Sequence, residues 1–370
     1  MKAGWEVKKL GEVCTVIAGQ SPEGKFYNAS ADGLPFYQGK KEFGEKYIGK
    51  PTTWTTFVTK EAEKDDVLMS VRAPVGPINF STEKMCIGRG LAAIRASNLI
   101  DKDFLFNFLL KHEAEIVGNK GAVFDSINKS QIENILIPTP PIPEQQRIVA
   151  ILDQAFEGIA KARANAQQNL QNALALFESH LQSVFQNKSW KRISVEEACT
   201  EIFAGGDAPK EKFSLKKSEK FTIPIFANAV KDNGLYGYTN FARVTKPSVT
   251  ISARGSGTGH TEIRFESFLP IVRLIVLIPN SSLINLEFLK YSIDNLEILR
   301  SGSAIPQLTV PMIKEYHIPL PTLPEQLEII SQLEILFAET QRLEALYQRK
   351  IECLDELKKS LLQQAFAGEL

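Results

Sequence analysis

Two stretches of similar sequence, IPTPPIPEQQ at residues 137–146 and IPLPTLPEQL at residues 318–327, lie 181 residues apart in a chain of 370. Each proline fixes its own φ and disfavours helix in the residue before it, so both strings keep the chain extended. Pro143 and Pro324 end this constraint, because a proline in the first turn of a helix gives up an N–H that has no helical acceptor. Both stretches therefore predict an extended segment that leads directly into a helix.

These two PEQ turns align without a gap. A glutamate follows the last proline in each copy, where an acid suits the positive end of the helix dipole. The aligned pairs are Pro138 and Pro319, Pro140 and Pro321, Pro143 and Pro324, Glu144 and Glu325, and Gln145 and Gln326. The same offset continues downstream to Phe185 and Phe366. We interpret the chain as two copies of one unit, since a period this long, present twice, does not fit a solenoid.

Apolar residues recur at steps of three and four after each PEQ turn, which is typical of a coiled coil. At 1.5 Å per residue, a helix over residues 144–185 is about 60 Å long and needs a partner along its length. We predict that its partner is the duplicate helix, in antiparallel orientation. Packing of each helix on its own module, or on another protein, is the alternative. The predicted seam, the apolar row that faces the partner, contains Leu152, Ile159, Leu170, Leu174, Phe177 and Leu181 in the first helix and Leu333, Leu336, Leu343, Leu354, Leu357 and Leu361 in the second.

The sequence before each PEQ turn predicts a compact α+β module. Short runs of β-branched and aromatic residues are separated by Gly, Pro, Asn and Asp. Predicted strands cover residues 13–18, 67–71 and 90–94 in the first half and 223–227, 248–253 and 269–278 in the second; predicted short helices cover 103–114 and 286–299. The expected fold is α+β: two similar globular modules with mixed sheets, joined by two long antiparallel coiled-coil helices in an internal pseudo-two-fold repeat. The expected boundaries are 1–141 and 188–322 for the modules, and 142–187 and 323–370 for the helices.

The net charge gives no case for a nucleic-acid partner, because Lys plus Arg and Asp plus Glu both number 43. The charge is unevenly distributed, however. Residues 205–273 contain eleven Lys or Arg against six Asp or Glu. Asn and Tyr residues are interleaved with these bases, and such side chains suit base edges and the sugar-phosphate backbone. The second module is therefore a candidate for DNA binding.

We predict that loops of both modules contact DNA, with a solvated loop as the alternative for each residue. The candidates are Tyr37, Gln38, Lys40 and Lys41 in the first module and Asn228, Tyr236, Tyr238, Asn240, Arg243 and Lys246 in the second. Arg72 and Arg254 belong to Ser-x-Arg elements that match across the halves. A shared arginine does not easily distinguish two sequences, so we assign both to phosphate binding, with an internal salt bridge as the alternative.

Enzyme signatures are weak in this sequence, and no catalytic or metal-binding residue is predicted. The four cysteines and four histidines are scattered, which favours free thiols over disulfides or a zinc site. The glycine run at residues 255–259 lacks the Lys-Ser/Thr of a phosphate loop. Asp65, Asp66, Glu83 and Lys84 lack the acid-x-Lys element of a metal-dependent nuclease. No signal peptide or membrane span is evident, so we expect a cytoplasmic protein without a membrane partner.

The whole pattern resembles the specificity subunit of a Type I restriction-modification system. The resemblance is carried by the two PEQ turns leading into long helices, by Trp5 and Trp190 near the start of each half, and by the ending LLQQAFAGEL at residues 361–370. It covers essentially the whole chain. The interiors of the modules resemble the family only in the short Ser-x-Arg and glycine elements.

This resemblance implies two target-recognition domains, each reading one half of a split, asymmetric site in double-stranded DNA. It also implies that the paired helices set the spacer and dock two methyltransferase subunits, which restriction subunits join. The chain would have no catalytic activity and bind no cofactor itself. S-adenosylmethionine would belong to the methyltransferase partner, and ATP and Mg to the restriction partner. A coiled-coil scaffold that binds only protein, and a stand-alone metal-dependent nuclease, are the alternatives.

Overall fold

The computed structural model of the chain describes residues 4–118, 126–186, 189–296 and 308–370. The chain forms two compact units, which are described separately. Unit 1 contains Met1–Gln167 and Gln348–Leu370, and unit 2 contains Gln168–Tyr347. Each unit therefore consists of one module and a piece of each long helix. Of the predicted helix over 286–299, residues 297–299 lie outside the described residues.

The module of unit 1 has eleven strands and three short helices among its described residues, and the first long helix follows them. The strands are β1 (Glu6–Lys9), β2 (Cys14–Ala18), β3 (Tyr27–Asn28), β4 (Leu34–Tyr37), β5 (Trp54–Thr55), β6 (Glu61–Ala62), β7 (Val67–Ser70), β8 (Ile78–Phe80), β9 (Met85–Ile87), β10 (Leu91–Ala96) and β11 (Leu136–Thr139). The helices are α1 (Leu10–Val13), α2 (Lys102–Gly118), α3 (Lys129–Glu133) and the long α4 (Ile142–Phe185).

The module of unit 2 repeats this order of elements, except that its described residues contain no strand equivalent to β6. Its strands are β12 (Arg192–Ser194), β13 (Cys199–Ala204), β14 (Phe213–Ser214), β15 (Ile223–Phe226), β16 (Leu235–Thr239), β17 (Ser248–Ile251), β18 (Thr261–Arg264), β19 (Leu269–Pro270), β20 (Ile275–Pro279) and β21 (His317–Pro319). Its helices are α5 (Val195–Ala198), α6 (Leu286–Asp294), α7 (Val310–Glu315) and the long α8 (Leu323–Ala367).

The central sheets of the two modules have the same topology, and the second sheets share four strands in the same order, which confirms the predicted duplication; β6 of unit 1 has no equivalent strand among the described residues of unit 2. The central sheet has the order β2-β10-β7-β8 in unit 1 and β13-β20-β17-β18 in unit 2. A second sheet has the order β3-β5-β4-β9-β6 in unit 1 and β14-β16-β15-β19 in unit 2. In each unit the first strand of the module pairs antiparallel with the strand that precedes the PEQ turn, as β1 with β11 and β12 with β21. The predicted α+β class with mixed sheets is therefore confirmed.

One predicted strand is wrong. Residues 269–278 form two strands, β19 and β20, which belong to different sheets and are separated by a turn. Val272 and Arg273 occupy this turn with φ of 51° and 62°. The turn lacks the glycine, asparagine or proline that normally marks a reversal, so the apolar run reads as one continuous strand.

The PEQ turns are held by a buried glutamine. In unit 1, Gln145 Nε2 donates to the backbone oxygens of Leu99 at 3.2 Å and Pro140 at 2.7 Å, and its Oε1 accepts from the N–H of Asp101 at 2.8 Å. The Asp101 carboxylate in turn accepts from the first N–H groups of α2. Gln145 is completely buried. It therefore ties the start of the long helix to the start of the short helix.

Unit 2 repeats the same arrangement atom for atom. Gln326 Nε2 donates to the oxygens of Leu283 and Pro321, each at 2.9 Å, and its Oε1 accepts from the N–H of Asn285 at 2.7 Å. Asn285 caps α6 through its side-chain oxygen. Gln326 is also completely buried. The repeated turn therefore fixes the direction in which each long helix leaves its contacts with the module.

Glu325 caps the second long helix. Its carboxylate accepts from the N–H and the hydroxyl of Thr322, each at 2.7 Å, and these hydrogen bonds lower the pKa of Glu325. Glu144 instead pairs with Arg147 in the first turn of α4, at 2.7 Å. Both glutamates thus lie at the positive end of a helix, as predicted, but they have different partners.

The two long helices pair antiparallel within each unit. In unit 1, Arg147 near the start of α4 donates to the oxygen of Leu370, and Arg163 lies 3.5 Å from Asp355. In unit 2, the Phe177 ring lies 5.5 Å from the Phe337 ring. Leu181 and Phe185 belong to the same core as Ile330 and Leu333. The helices also pack on the modules: Phe366 contacts the rings of Phe104 and Phe108, and Phe185 contacts that of Phe288.

The predicted seam is wrong at two positions. Leu174 and Leu357 are 42% and 46% exposed, whereas Ala173 and Leu362 are buried. On α4, the buried row passes through Ala166, Leu170 and Ala173 rather than through Leu174. Near the end of α8, Lys358 lies over the Phe156 ring at 5.0 Å. At Leu174 the error is a one-residue change of register between neighbouring apolar residues; at Leu357 the residue on the half-buried face is the next one, Lys358. The other predicted seam residues are buried or half-buried.

The buried glutamine generates a first prediction. Replacement of Gln326 by alanine leaves two carbonyls and one N–H without a partner, so it should cost about 2–4 kcal/mol. Urea unfolding should show this loss, and hydrogen exchange should show reduced protection of the Asn285 amide. Gln145→Ala should have the same effect in unit 1. The exposed Gln332→Ala, also in α8, serves as the control and should change stability by less than about 0.5 kcal/mol. Equal stability of the Gln326 and Gln332 variants would contradict the proposal that the hydrogen bonds of Gln326 hold the start of α8.

The corrected seam generates a second prediction. Leu362→Ala removes a buried side chain from the core of unit 1 and should cost about 2–5 kcal/mol. Leu357→Ala, five residues away, should cost no more than about 0.5 kcal/mol. Urea unfolding of both variants measures the difference. The reverse order would place Leu357 in the seam after all.

Candidate nucleic-acid interface

A short turn joins the two sheets in each module. This sheet-linking turn spans residues 88–91 between β9 and β10, and residues 271–274 between β19 and β20. The N–H of Leu91 donates to the Gly88 oxygen at 2.9 Å, and the N–H of Leu274 donates to the Ile271 oxygen at 3.1 Å. Leu91 and Leu274 are therefore equivalent positions.

Two loops meet this turn in the same way in both modules. After β4 and β15, the Tyr37 oxygen accepts from Gly88 at 2.8 Å, and the Phe226 oxygen accepts from Ile271 at 2.9 Å. After β2 and β13, the N–H groups of Gly19 and Gly205 donate to the oxygens of Leu91 and Leu274. These three backbone hydrogen bonds around the turn are thus shared, although the side chains differ and the turn of unit 2, unlike that of unit 1, has two residues of positive φ.

The Ser-x-Arg loop lies beside the turn. In unit 1 the N–H of Val71 donates to the oxygen of Gly90 at 3.0 Å. In unit 2 the equivalent N–H, that of Ala253, donates to the Asn228 side-chain oxygen at 2.8 Å, and the Asn228 amide nitrogen donates to the oxygen of Val272. We call these neighbouring segments the three-loop surface: the sheet-linking turn, the loop after β4 or β15, and the Ser-x-Arg loop.

The structure separates the predicted DNA contacts of the first module. Tyr37 is a correction: it is buried, and its hydroxyl donates to the Gly49 oxygen at 2.9 Å, so its side chain is not available to DNA. Gln38 and Lys41 are exposed and line a cleft of about 670 Å³ together with Arg89. Lys40 is exposed as well; its positive charge opposes the rise that burial causes in the pKa of Glu113.

Asn228 has a structural role that the sequence did not indicate. Its amide bonds on one side to the Ser-x-Arg loop and on the other to the sheet-linking turn. Asn228 therefore positions two neighbouring loops. The sequence predicts only that its side chain contacts DNA. Ala253 and Val272, the residues it holds, immediately precede Arg254 and Arg273.

The other candidates of the second module are exposed to different degrees. Tyr236 is exposed, with its ring 6.2 Å from that of Phe213, whereas Tyr238 is half-buried; Asn240 is exposed. Arg243 is exposed and lies 4.3 Å above the Phe203 ring. Lys246 lines a groove with Leu323 and Leu327 at the start of α8. Of the DNA contacts predicted in this module, only Asn228 and Arg254 lie on the three-loop surface.

Arg72 and Arg254 are exposed at equivalent positions. Arg72 forms no ion pair within the described part of the chain, so the salt-bridge alternative is not observed for it. The hydroxyl of the preceding Ser70 donates to the oxygens of Arg72 and Pro74, which fixes the loop. Phosphate binding by both arginines stays a prediction.

Two arginines of the sheet-linking turns, Arg89 and Arg273, are missing from the predicted contacts. Both are exposed. Neither gives a strong signal in the sequence: Arg89 stands between two glycines, and Arg273 interrupts an apolar run. Only the strand pairing shows that they occupy corresponding turns.

Three of the four residues considered for a nuclease, Asp65, Asp66 and Lys84, are engaged in ion pairs. Asp66 is buried and accepts two hydrogen bonds from Arg95, at 2.9 and 2.8 Å. Lys84 lies 2.8 Å from Glu61, and Lys102 lies 3.0 Å from Asp65. These carboxylates are therefore neutralised by side chains of the module, which does not favour a metal-dependent nuclease site.

The cysteines form no disulfide among the described residues, and two of them are made less reactive by burial. All four are free thiols. Burial raises the pKa of Cys14 and of Cys199 to about 12, so both stay protonated near neutral pH. Among the described residues, no helix is both long and apolar enough to cross a membrane.

Comparison with known proteins gives consistent matches. A protein described as the MjaX type I restriction enzyme specificity subunit of Methanocaldococcus jannaschii is 40% identical over 174 residues, 46% of this chain and 40% of that protein. The chain thus matches less than half of that relative's length. A protein of Mycoplasma pneumoniae described as type I specificity subunit S.MpnORF507P is 25% identical over 340 residues, 89% of this chain and 88% of that protein.

Two solved structures share the fold. One is a structure described as showing the structural basis of complex assembly and conformational transition of the type I R-M system. Its matching chain has a TM-score of 0.82 and 21% identity, and the match covers 100% of this chain and 99% of that one. The HsdS subunit of Thermoanaerobacter tengcongensis has a TM-score of 0.68 and 21% identity, covering 100% and 98%. These likenesses concern the fold alone.

The family model that matches covers both halves of the chain. It is the Type I restriction modification DNA specificity domain, and it matches residues 2–169 and again residues 187–352. The two matches contain the two modules, the PEQ turns and most of both long helices. The chain therefore belongs to the family of Type I restriction modification DNA specificity domains.

Proposed function

We propose that this chain is the DNA sequence-recognition subunit of a Type I restriction-modification complex. Each module reads one half of a bipartite, asymmetric site in double-stranded DNA. The paired long helices set the spacer between the halves and dock two methyltransferase subunits, which restriction subunits join. The chain itself is not catalytic. S-adenosylmethionine belongs to the methyltransferase partner, and ATP and Mg belong to the restriction partner.

One observation carries this proposal: the two modules share their central sheet, their buried glutamine and three backbone hydrogen bonds around the sheet-linking turn, but differ in the side chains on the three-loop surface. Gln38 and Gly39 follow β4, whereas Ala227 and Asn228 follow β15. A shared scaffold with different side chains is what reading two different half-sites requires, because base identity is read by side chains at the base edges.

The proposal predicts a split recognition motif. The chain, in complex with its methyltransferase partner, should enrich a motif with two separated specific parts from a library of randomised duplexes. With excess nonspecific DNA present, binding to the motif should be tighter by about 10³-fold or more. A scaffold that binds only protein would enrich no motif. Cutting by the purified chain with Mg²⁺ alone would support the nuclease alternative instead.

If the paired helices set the spacer, a change in their length should change the number of base pairs between the half-sites. Seven residues inserted after Gln167 in α4 and seven before Gln348 in α8 keep the heptad pattern and leave both compact units intact. At 1.5 Å per residue the helices lengthen by about 10 Å, close to three base-pair steps of roughly 3.4 Å. The enriched motif should therefore keep both specific parts and gain about three unspecified base pairs between them.

The matched control replaces exposed residues at the same two positions without changing the length, and its spacer should equal that of the original chain. An unchanged spacer in the lengthened variant would show that the helices do not set the spacer, but it would not contradict recognition of the two half-sites by the modules.

A further inference from the structure

We propose that the sheet-linking turn is the base-reading element of each module, with Arg89 reading a guanine in one half-site and Arg273 reading a guanine in the other. This inference rests on the proposed function and deepens it, because it names the residues that determine specificity. It is carried by the backbone and surroundings of the turn of unit 2 and by the exposure of the arginine on each turn.

The turn of unit 2 has an unusual backbone for its sequence. Val272 and Arg273 both have positive φ, a conformation that is rare for residues other than glycine and an outlier for a β-branched residue. A two-residue turn of this kind is normally occupied by Asn-Gly or Asp-Gly. The backbone alone therefore does not explain Val-Arg. Conformations of this kind are concentrated at functional sites, where the surrounding structure maintains them.

The surrounding structure does maintain this turn. The N–H groups of Val272 and Arg273 donate to the oxygens of Gly206 at 2.7 Å and Gly205 at 3.2 Å. The oxygen of Val272 accepts from Asn228. Gly205 allows the approach, since a Cβ there would lie 2.6 Å from the Pro270 carbonyl carbon. The turn is thus held in one conformation before any ligand is bound, which lowers the entropic cost of binding.

The side chains on this turn face solvent. Val272 is 48% exposed, and Arg273 is exposed. The Arg273 guanidinium makes no hydrogen bond and no ion pair within residues 189–296 or the other described residues. Its planar pair of donors matches the O6 and N7 acceptors of guanine in the major groove. A turn with a fixed backbone, which exposes an arginine that makes no hydrogen bond or ion pair among the described residues, is suited to contact a base.

The two turns present their arginines differently. Because Leu91 and Leu274 are equivalent, Arg89 corresponds to Val272, and Gly90 corresponds to Arg273. The arginine therefore occupies the second residue of one turn and the third residue of the other. Arg72 and Arg254, in contrast, occupy equivalent positions. A shared position fits contact with the uniform phosphate backbone, whereas a shifted position fits two different half-sites.

The test uses the complete chain in complex with its methyltransferase partner and a library of randomised duplexes. The Arg273→Ala complex should enrich a motif that has lost its preference at one guanine of one half, with the rest unchanged. Discrimination at that base pair should fall about 5- to 150-fold. Arg89→Ala should relax a guanine in the other half. Arg254→Ala is the matched comparison: it should weaken binding to all sequences and reduce the salt dependence, without changing the motif.

A second variant separates reading from folding. Val272→Asn combined with Arg273→Gly keeps the turn with residues that favour its backbone, so the melting temperature should rise. The same guanine preference should nevertheless disappear. Retention of the full motif by this variant would overturn the assignment to the turn.

The remaining outcomes are also decisive. If Arg273→Ala weakens binding evenly across all sequences, Arg273 contacts phosphate and the inference is wrong. If both single variants enrich the original motif, the turns do not read bases, although the proposed function stands. If the unchanged chain enriches no motif, the proposed function fails and the inference fails with it.

Discussion

The start of each long helix is fixed by one completely buried side chain, and the arrangement of the remaining elements depends on it. Gln145 and Gln326 each satisfy three backbone groups that would otherwise be buried without partners. A buried polar group without a partner costs more than an ordinary hydrogen bond contributes, so the direction of the helix is strongly determined. The prolines keep the chain extended up to this point, and the glutamine sets the angle. The recurrence of PEQ in both halves thus has a physical cause in the geometry of the module.

The duplicated scaffold and the divergent loops perform different tasks. Both units have the same central sheet, the same capped short helix and three equivalent backbone hydrogen bonds around the sheet-linking turn. The side chains around that turn differ: a direct Val71 to Gly90 bond in one unit is replaced in the other by the amide of Asn228. A rigid frame with exchangeable side chains allows new specificity to arise without a new fold. The proposed role in DNA recognition uses this division.

Much of the fold follows from the sequence, because it is written in periodic patterns and in a repeat. The prolines predict both helix starts, and the three-four spacing predicts the paired helices. One error in the seam arises where two apolar residues are adjacent, at Ala173 and Leu174, since spacing alone does not determine which of them is buried. The candidate surface was predicted less well. Tyr37 looks like a loop residue but completes a core, and the turn at Val272 has none of the residues that usually mark a turn. Backbone strain and long-range strand pairing, which decide both cases, leave no local trace in the sequence.

The division of the chain into units has a consequence for synthesis. Unit 1 is discontinuous: residues 348–370 complete the core that Met1–Gln167 begins, and Phe366 inserts between aromatic rings of the first module. Unit 2 is built from a single uninterrupted segment, Gln168–Tyr347. Residues 1–167 are therefore made before unit 2, but the core of unit 1 is completed only by residues 348–370, which are made after unit 2. Until those residues are made, Phe104 and Phe108 lack the aromatic contacts that Phe366 provides in the finished core.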